Sequence, residues 1–252
     1  MTSTPEDRSG KGARRAPIRS VRGRRTAQAL VKRGKSAQAA AVRAKPVGKP
    51  RDADTTRASI LAAATAEFAS KGLTGARVDE IAERAGFNKR MLYHYFGNKD
   101  DLFQAVIENV YIDVWEAEAA LDLDQLPPVD ALARLVAFTW QYYLDHPEFI
   151  TLLNSENLNE GRHFKRSSTI EAHARKSRDL VGAILERGVA AGLFRSGVDP
   201  IQLNITISAV GYYYLTNRHT ASVVYERDMT APDALAARLA FNVETILAMV
   251  RV

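Results

Sequence analysis

Val78-Asp79-Glu80-Ile81-Ala82-Glu83-Arg84-Ala85-Gly86-Phe87-Asn88-Lys89-Arg90-Met91-Leu92-Tyr93-His94-Tyr95-Phe96 is the stretch that decides how the rest of the chain reads. Val78, Ile81, Ala82, Phe87, Leu92 and Phe96 place apolar side chains on one side of two short helical segments, with Gly86 between them. Two helices joined by a tight, Gly-containing turn form a helix-turn-helix. Ala82 is small where the second helix must cross close to the first. Gly86 can take a positive φ that would cost a side chain roughly 1 kcal/mol. Asn88 can cap the second helix, which then turns Lys89, Arg90, Tyr93 and His94 outward. Free amides at a helix N-terminus beside cations are the chemistry that DNA phosphates and base edges select. Tyr95 and Phe96 read as core, Tyr93 as a phosphate or base contact.

Upstream, Ile60, Leu61, Ala64 and Phe68 fall on one face of an amphipathic helix. Asp54 or Thr55 can cap its start, and Gly72 stands where a left-handed residue would end it. Downstream, Asn98 can cap a long helix, with Asp101 as the acidic half of a capping box and an apolar stripe from Leu102 to Val114. Further helices are expected over 129–145, 148–157, 167–191, 200–217 and 232–250, the last two with Pro in the first turn. No stretch alternates with the period of a strand. The expected fold is all-α, about nine helices without internal repeat. It comprises an N-terminal three-helix bundle with the helix-turn-helix (77–96) and a larger helical domain for ligand binding and dimerisation.

The charge is divided. Of 35 Lys+Arg and 29 Asp+Glu in 252 residues, residues 1–50 hold 14 basic and two acidic side chains, leaving 21 and 27 for the remainder. A +12 arm thus precedes a −6 body. Residues 1–53 nearly lack large apolar groups and are expected to be disordered. They read either as a solvated tail without fixed role or as a polycation that grips phosphate without reading sequence. A transit peptide would share the Arg and Ser content, but Glu6 and Asp7 come early. No apolar run approaches a membrane span, and no secretory signal is read. The chain holds no cysteine, which excludes disulfides, thiolate metal sites and a cysteine nucleophile. The domains expected are 1–53, a DNA-binding domain at 54–114 and an effector and dimerisation domain at 115–252.

From Thr56 to Ile107 the sequence resembles the TetR family of bacterial one-component repressors. The resemblance is carried by Ile60-Leu61, Ala64, Phe68, Gly72, Ile81-Ala82, Ala85-Gly86, Leu92-Tyr93-His94-Tyr95-Phe96, Lys99 and Leu102. It implies that Lys89, Arg90, Tyr93 and His94 sit in or beside the major groove and that Lys99 contacts a phosphate. Two positions depart from the family pattern. Arg77 stands where Ser or Thr usually opens the second helix; it cannot cap, but it can offer a charged phosphate contact. Asn88 and Arg90 replace a Ser and a small residue around the recognition helix, which makes Arg90 the candidate for an altered base preference, guanine among the options.

Residues 120–252 carry no catalytic motif, no phosphate loop and no metal set. Glu160 and His163 have i, i+3 spacing but lack the second half that a di-iron helix site requires. No cofactor, metal or enzyme activity is expected. Aromatic density is the distinctive feature, in Phe138, Trp140, Tyr142, Tyr143, Phe149, Phe164 and Tyr212-Tyr213-Tyr214. It reads as ordinary core or as the wall of an apolar cavity with a few polar anchors. For the cavity, Trp140, Tyr143, Phe149, Asn154, Asn157, Arg175 and Tyr213 are the candidate lining, with Glu156 a further polar group. Asn217-Arg218-His219-Thr220 and Ala231-Pro232-Asp233-Ala234-Leu235 resemble two TetR subgroups, the repressors of nicotinate degradation and the regulators of pyrimidine utilisation. That likeness implies a small planar heterocycle or aromatic acid as effector. The family's last two helices pair subunits in a four-helix bundle, for which Ile201, Ile205, Ala209, Leu239, Val243 and Ile246 have the spacing here.

The expectation is a homodimeric regulator in the bacterial cytoplasm, associated with the nucleoid. It would bind a double-stranded operator and no membrane, acting as a repressor that a small-molecule effector releases. The rival is a general DNA-compacting protein acting through the arm; an enzyme on an aromatic substrate is a third class that no residue pattern suggests.

Overall fold

The computed structural model describes residues 53–252; the expectations for the basic arm lie outside them. The chain folds as α1 (Ala53–Gly75), α2 (Val78–Ala85), α3 (Lys89–Phe96), α4 (Lys99–Ala119), α5 (Pro128–Asp145), α6 (Pro147–Leu158), α7 (Ser168–Ala190), α8 (Pro200–Val224) and α9 (Pro232–Val250). Two 3-10 turns lie at Leu123–Gln125 and Phe164–Arg166. Among the described residues there is no strand, only an isolated bridge between Phe194 and Arg251.

Local chemistry sets the boundaries. Asn88 and Asn98 cap α3 and α4 through side-chain oxygens 3.0 Å from the amides of Met91 and Asp101. The Asp101 carboxylate does not close the expected capping box on the backbone; it takes the Asn98 side-chain amide instead. Gly86 ends α2 at φ 73°, ψ 30°, the left-handed region where a side chain is penalised. Gly72, at φ 67°, ψ 175°, kinks α1 rather than ending it, and one more turn follows. Asp54 and Thr55 lie inside the first turn of α1, because the helix already runs at Ala53.

Helix α8 is longer than the polar stretch Asn217-Arg218-His219-Thr220 suggested. Asn217 and Ser222 bond back to the carbonyls of Tyr213 and Arg218 at 2.8 and 2.7 Å. The side chains that looked like helix breakers are satisfied within their own helix, which runs on to Val224.

Helix α1 packs against α2, α4 and α6, while α5, α7, α8 and α9 pack on one another. One apolar cluster, with no member from α1 to α4, joins Leu132, Leu135, Val181, Ile184, Leu203, Ile246 and Val250. The other begins in the first three helices with Ile60, Phe68, Ile81 and Leu92. It continues through Phe103 and Ile107 to Leu152, Ile170, Tyr214 and Leu215 without a break. The reading head therefore shares its core with the middle of the molecule.

Candidate DNA-reading head and effector cavity

Helix α2 props α3. Val78, Ile81 and Ala82 are buried against Leu92 and Phe96, so the two helices are fixed on each other. Arg90, Tyr93 and His94 are left exposed on the outer face of α3. Arg77 occupies the position before α2, makes no side-chain cap bond, and extends into solvent with 72% of its side chain exposed. Lys89 lies 3.2 Å from Asp79, and Lys99 donates to the Thr74 carbonyl at 3.2 Å. Exposed ion pairs of this kind contribute at most about 1 kcal/mol, so a phosphate can replace Asp79 at little cost. Tyr95 is half-buried and Phe96 buried, and Arg57 lies over the Phe96 ring at 5.0 Å.

One residue that fixes the head escaped the sequence reading. Glu67, on the inward face of α1, is 0% exposed. Its carboxylate accepts from the Arg77 amide at 3.2 Å and pairs with Lys71 at 2.9 Å and Arg84 at 3.6 Å. Burial works against the charge, but Lys71, the Arg77 amide and Arg84 more than offset it, holding the carboxyl below its usual range. An acid i+3 from Ala64 and adjacent to Phe68, in the apolar stripe, was the available signal.

A second buried acid ties the head to the rest. Glu156 on α6 accepts from the backbone amides of His163 and Phe164 at 2.8 and 3.2 Å. The His163 ring lies between Glu156 and Asp100, the residue after Lys99. Arg162 and Arg166 both pair with Asp100. His163 thus faces Glu156 and Asp100, not Glu160. Among the described residues no group of three or more His, Cys, Asp or Glu is arranged to hold a metal ion.

Between α4, α5, α6, α7 and α8 lies a cavity of about 200 Å³. Tyr111, Val114, Trp115, Glu118, Phe138, Thr139, Tyr142, Tyr143, Phe149, Leu153, Ser177, Asn204 and Ser208 line it. Burial raises the phenol of Tyr111, and the charges of its neighbours add to that. Burial pushes Tyr142 up to about 12 and also raises Tyr143, so all three stay protonated donors at neutral pH. Of the seven residues expected to line a cavity, Tyr143 and Phe149 do so. Trp140 packs edge-on against Tyr214 at 5.5 Å in the core. Asn154 accepts from the Tyr212 hydroxyl, and Asn157 bonds back to the Leu153 carbonyl at 2.8 Å. Arg175 is exposed beside Glu171, and Tyr213 is 66% exposed. Of the three consecutive tyrosines, Tyr214 points inward and donates to the Met229 carbonyl at 3.0 Å.

The outer faces of α8 and α9 carry an unusual amount of apolar surface. Ile201, Ile205 and Tyr213 on α8, with Phe241 and Met249 on α9, are exposed, and Ala209 continues the α8 stripe. Leu239, Val243 and Ile246, expected on this face, turn the other way. Ile246 is 0% exposed, and the other two pack against the subunit's own clusters. On a straight helix, 239, 243 and 246 share one face and 237, 241 and 248 the opposite one; both are apolar in sequence, so periodicity alone did not choose.

Comparison with known proteins bears on both halves. Residues 60–106 match the family model "Bacterial regulatory proteins, tetR family", and residues 128–246 match "Tetracyclin repressor-like, C-terminal domain". The chain is 40% identical over 193 residues to the HTH-type transcriptional repressor NicS of Pseudomonas putida, covering 77% of this chain and 91% of that one. To the HTH-type transcriptional repressor SCO4008 of Streptomyces coelicolor it is 39% identical over 111 residues, 44% of this chain and 54% of that one. The crystal structure of the putative transcriptional regulator SCO4942 of Streptomyces coelicolor shares the fold. Its TM-score is 0.57 at 24% identity, over 77% of this chain and 98% of that one. No helix of the described residues is long and apolar enough to cross a membrane. A capped reading helix braced by α2, a core continuous with a cavity-bearing helical body, and family matches over both halves lead to one assignment: the chain belongs to the TetR family of bacterial regulatory proteins.

Proposed function

We propose that the protein is a homodimeric, sequence-specific transcriptional repressor that leaves its operator when a small molecule enters the cavity among Tyr111, Tyr143 and Phe149. The observation that carries this is the outward face of α3. Asn88 caps the helix, and Arg90, Tyr93 and His94 project together from a helix braced by buried residues of α2. In this reading Arg90 reads base edges, with Tyr93 and His94 beside it. Arg77, Lys89 and Lys99 hold phosphates. The outer faces of α8 and α9 pair two copies, setting the reading helices about 34–36 Å apart on a near-palindromic site. The effector's contacts with α4 and α6 bias the angle of Lys99 and the reading head, which requires that it bind the released state more tightly. The protein works on DNA in the bacterial cytoplasm.

The test is a comparison of operator and scrambled DNA at physiological salt with the full chain. A preference of about 10³ or more is expected. Equal binding to both would overturn the proposal in favour of non-specific compaction.

A further inference from the structure

The effector cavity carries its own chemical specification. Among the described residues, six aromatic side chains line it, Glu118 is its one carboxylate, and no Lys, Arg or His borders it. Among the described residues Glu118 enters no salt bridge. A second hollow of about 210 Å³, between α4 and α7, shares Trp115, Glu118 and Ser177 with the first. Glu116, His173 and Lys176 line that second hollow, and none of them borders the inner one. The Trp115 ring stacks on His173 at 6.0 Å and 10°, which keeps the histidine on the outer side. Burial lifts the Glu118 carboxyl above the ordinary range, and Ser177 offsets only part of that.

Glu118 is half-buried, and a charge drawn out of water gains from a partner of opposite sign. An aromatic carboxylate placed here would face Glu118 with no cation among the described lining residues to meet it. A cation would meet both the carboxylate and the negative faces of surrounding rings. Size narrows the class further. A dry cavity of about 150 Å³ holds benzene, so about 200 Å³ takes one ring or two fused rings.

We propose that the inner cavity is a site for a flat, one- or two-ring heteroaromatic cation, its rings among Trp115, Phe138, Tyr142 and Phe149 and its charged N–H edge on Glu118. This rests on the reading above that the cavity is the effector site, and it departs from the aromatic acid that the subgroup resemblance implied.

The experiment uses the full chain and three probes that share a ring system and differ in charge: 4-aminoquinoline, a cation at neutral pH, quinoline, uncharged, and quinoline-4-carboxylate, an anion. Dissociation constants come from calorimetry and from thermal shift without DNA. The expected order is cation tightest by at least about tenfold over quinoline, with the carboxylate weakest. Glu118→Gln should bring 4-aminoquinoline and quinoline together, whereas Glu118→Asp should keep their order. Tighter binding of the carboxylate, no measurable binding of any probe, or a tenfold gap that survives Glu118→Gln would overturn the proposal. Operator preference is measured on the same preparation. A protein that discriminates its operator but ranks the probes differently loses the ligand class and keeps the regulator reading; one that fails to discriminate loses the regulator reading itself.

Discussion

The Nδ1 of His163 lies 2.6 Å from Oε2 of Glu156, and both side chains are withdrawn from solvent. The two come from α6 and from the loop after it. They meet Asp100 through the other ring nitrogen at 3.3 Å, so one imidazole connects α6 and the loop after it to the first turn of α4.

Removing one partner of a buried pair strands the other. His163→Leu should therefore destabilise the protein by about 3 kcal/mol, towards the lower end because two backbone amides still serve Glu156. Glu156→Gln together with His163→Leu should recover more than half of that loss, since glutamine keeps an acceptor for those amides and carries no charge. Urea denaturation at one fixed protomer concentration reads the difference. A double variant as unstable as the single one would refute a stranded charge as the cause.

Asp100 supplies a pH signature. Desolvation raises its pKa, but His163, Arg162 and Arg166 outweigh that and hold it below the usual value of 3.8. A depressed carboxyl contributes stability that is fully present above the unfolded pKa and is lost as pH falls through the folded one. Melting curves of the parent and Asp100→Asn should thus stay a constant distance apart from pH 8 to 5 and converge below about pH 4. A gap that widens in acid would contradict the pairing.

How much of this was readable beforehand depends on sequence distance. Asn88, Asn98 and Gly86 act on residues four or fewer positions away, so the helix-turn-helix could be drawn from local chemistry. The outer face of α8, from Ile201 to Ala209, followed from a single period. On α9 two apolar faces competed, and only packing against Leu203 and Val250 decided that Ile246 goes inside. Glu156, His163 and Asp100 are up to 63 positions apart, beyond any spacing rule. The Glu160–His163 interval that did stand out has no such contact, because Glu160 sits at φ 58° in the turn.

The α8–α9 surface gives a contrast between neighbouring helix positions. Ile205 is 56% and Phe241 58% exposed. Ile205→Glu and Phe241→Glu should each leave a folded monomer by light scattering at micromolar concentration, with operator affinity falling accordingly. Ile246→Glu should abolish the cooperative melt instead, because it buries an unpaired carboxylate. A stable dimer with both outer substitutions would place the interface elsewhere.

On the DNA side the two cations should behave differently. Arg90→Ala should cost about 1–3 kcal/mol on the operator and relax the base preference at one position of each half-site. Lys99→Ala should weaken binding evenly across sequences and lower the salt slope by about 1. Competition titrations at several salt concentrations separate the two patterns; a sequence-dependent loss at Lys99 would reverse their roles.

Gly188 is fixed by close approach, not by dihedral angle. A Cβ there would lie 1.9 Å from the Phe194 ring, which is itself buried between α7 and the C-terminal end of α9. Gly188→Ala should lower stability by about 1–3 kcal/mol, and Gly188→Ala with Phe194→Leu should regain part of it. Unchanged thermal stability of Gly188→Ala would show that the ring can swing aside.

The core that runs unbroken from Ile60 to Leu215 also limits how such a chain can be recombined. Helix α1 is covered by α6, and Phe103 packs on Phe68 and on His163, so a cut after α4 would open an oily wound on the head and another on the body. Grafting a different reading head onto this body would need the α6 face and the 156–166 loop exchanged with it. The unit that diverges as one piece among related repressors should accordingly be larger than the part that touches DNA.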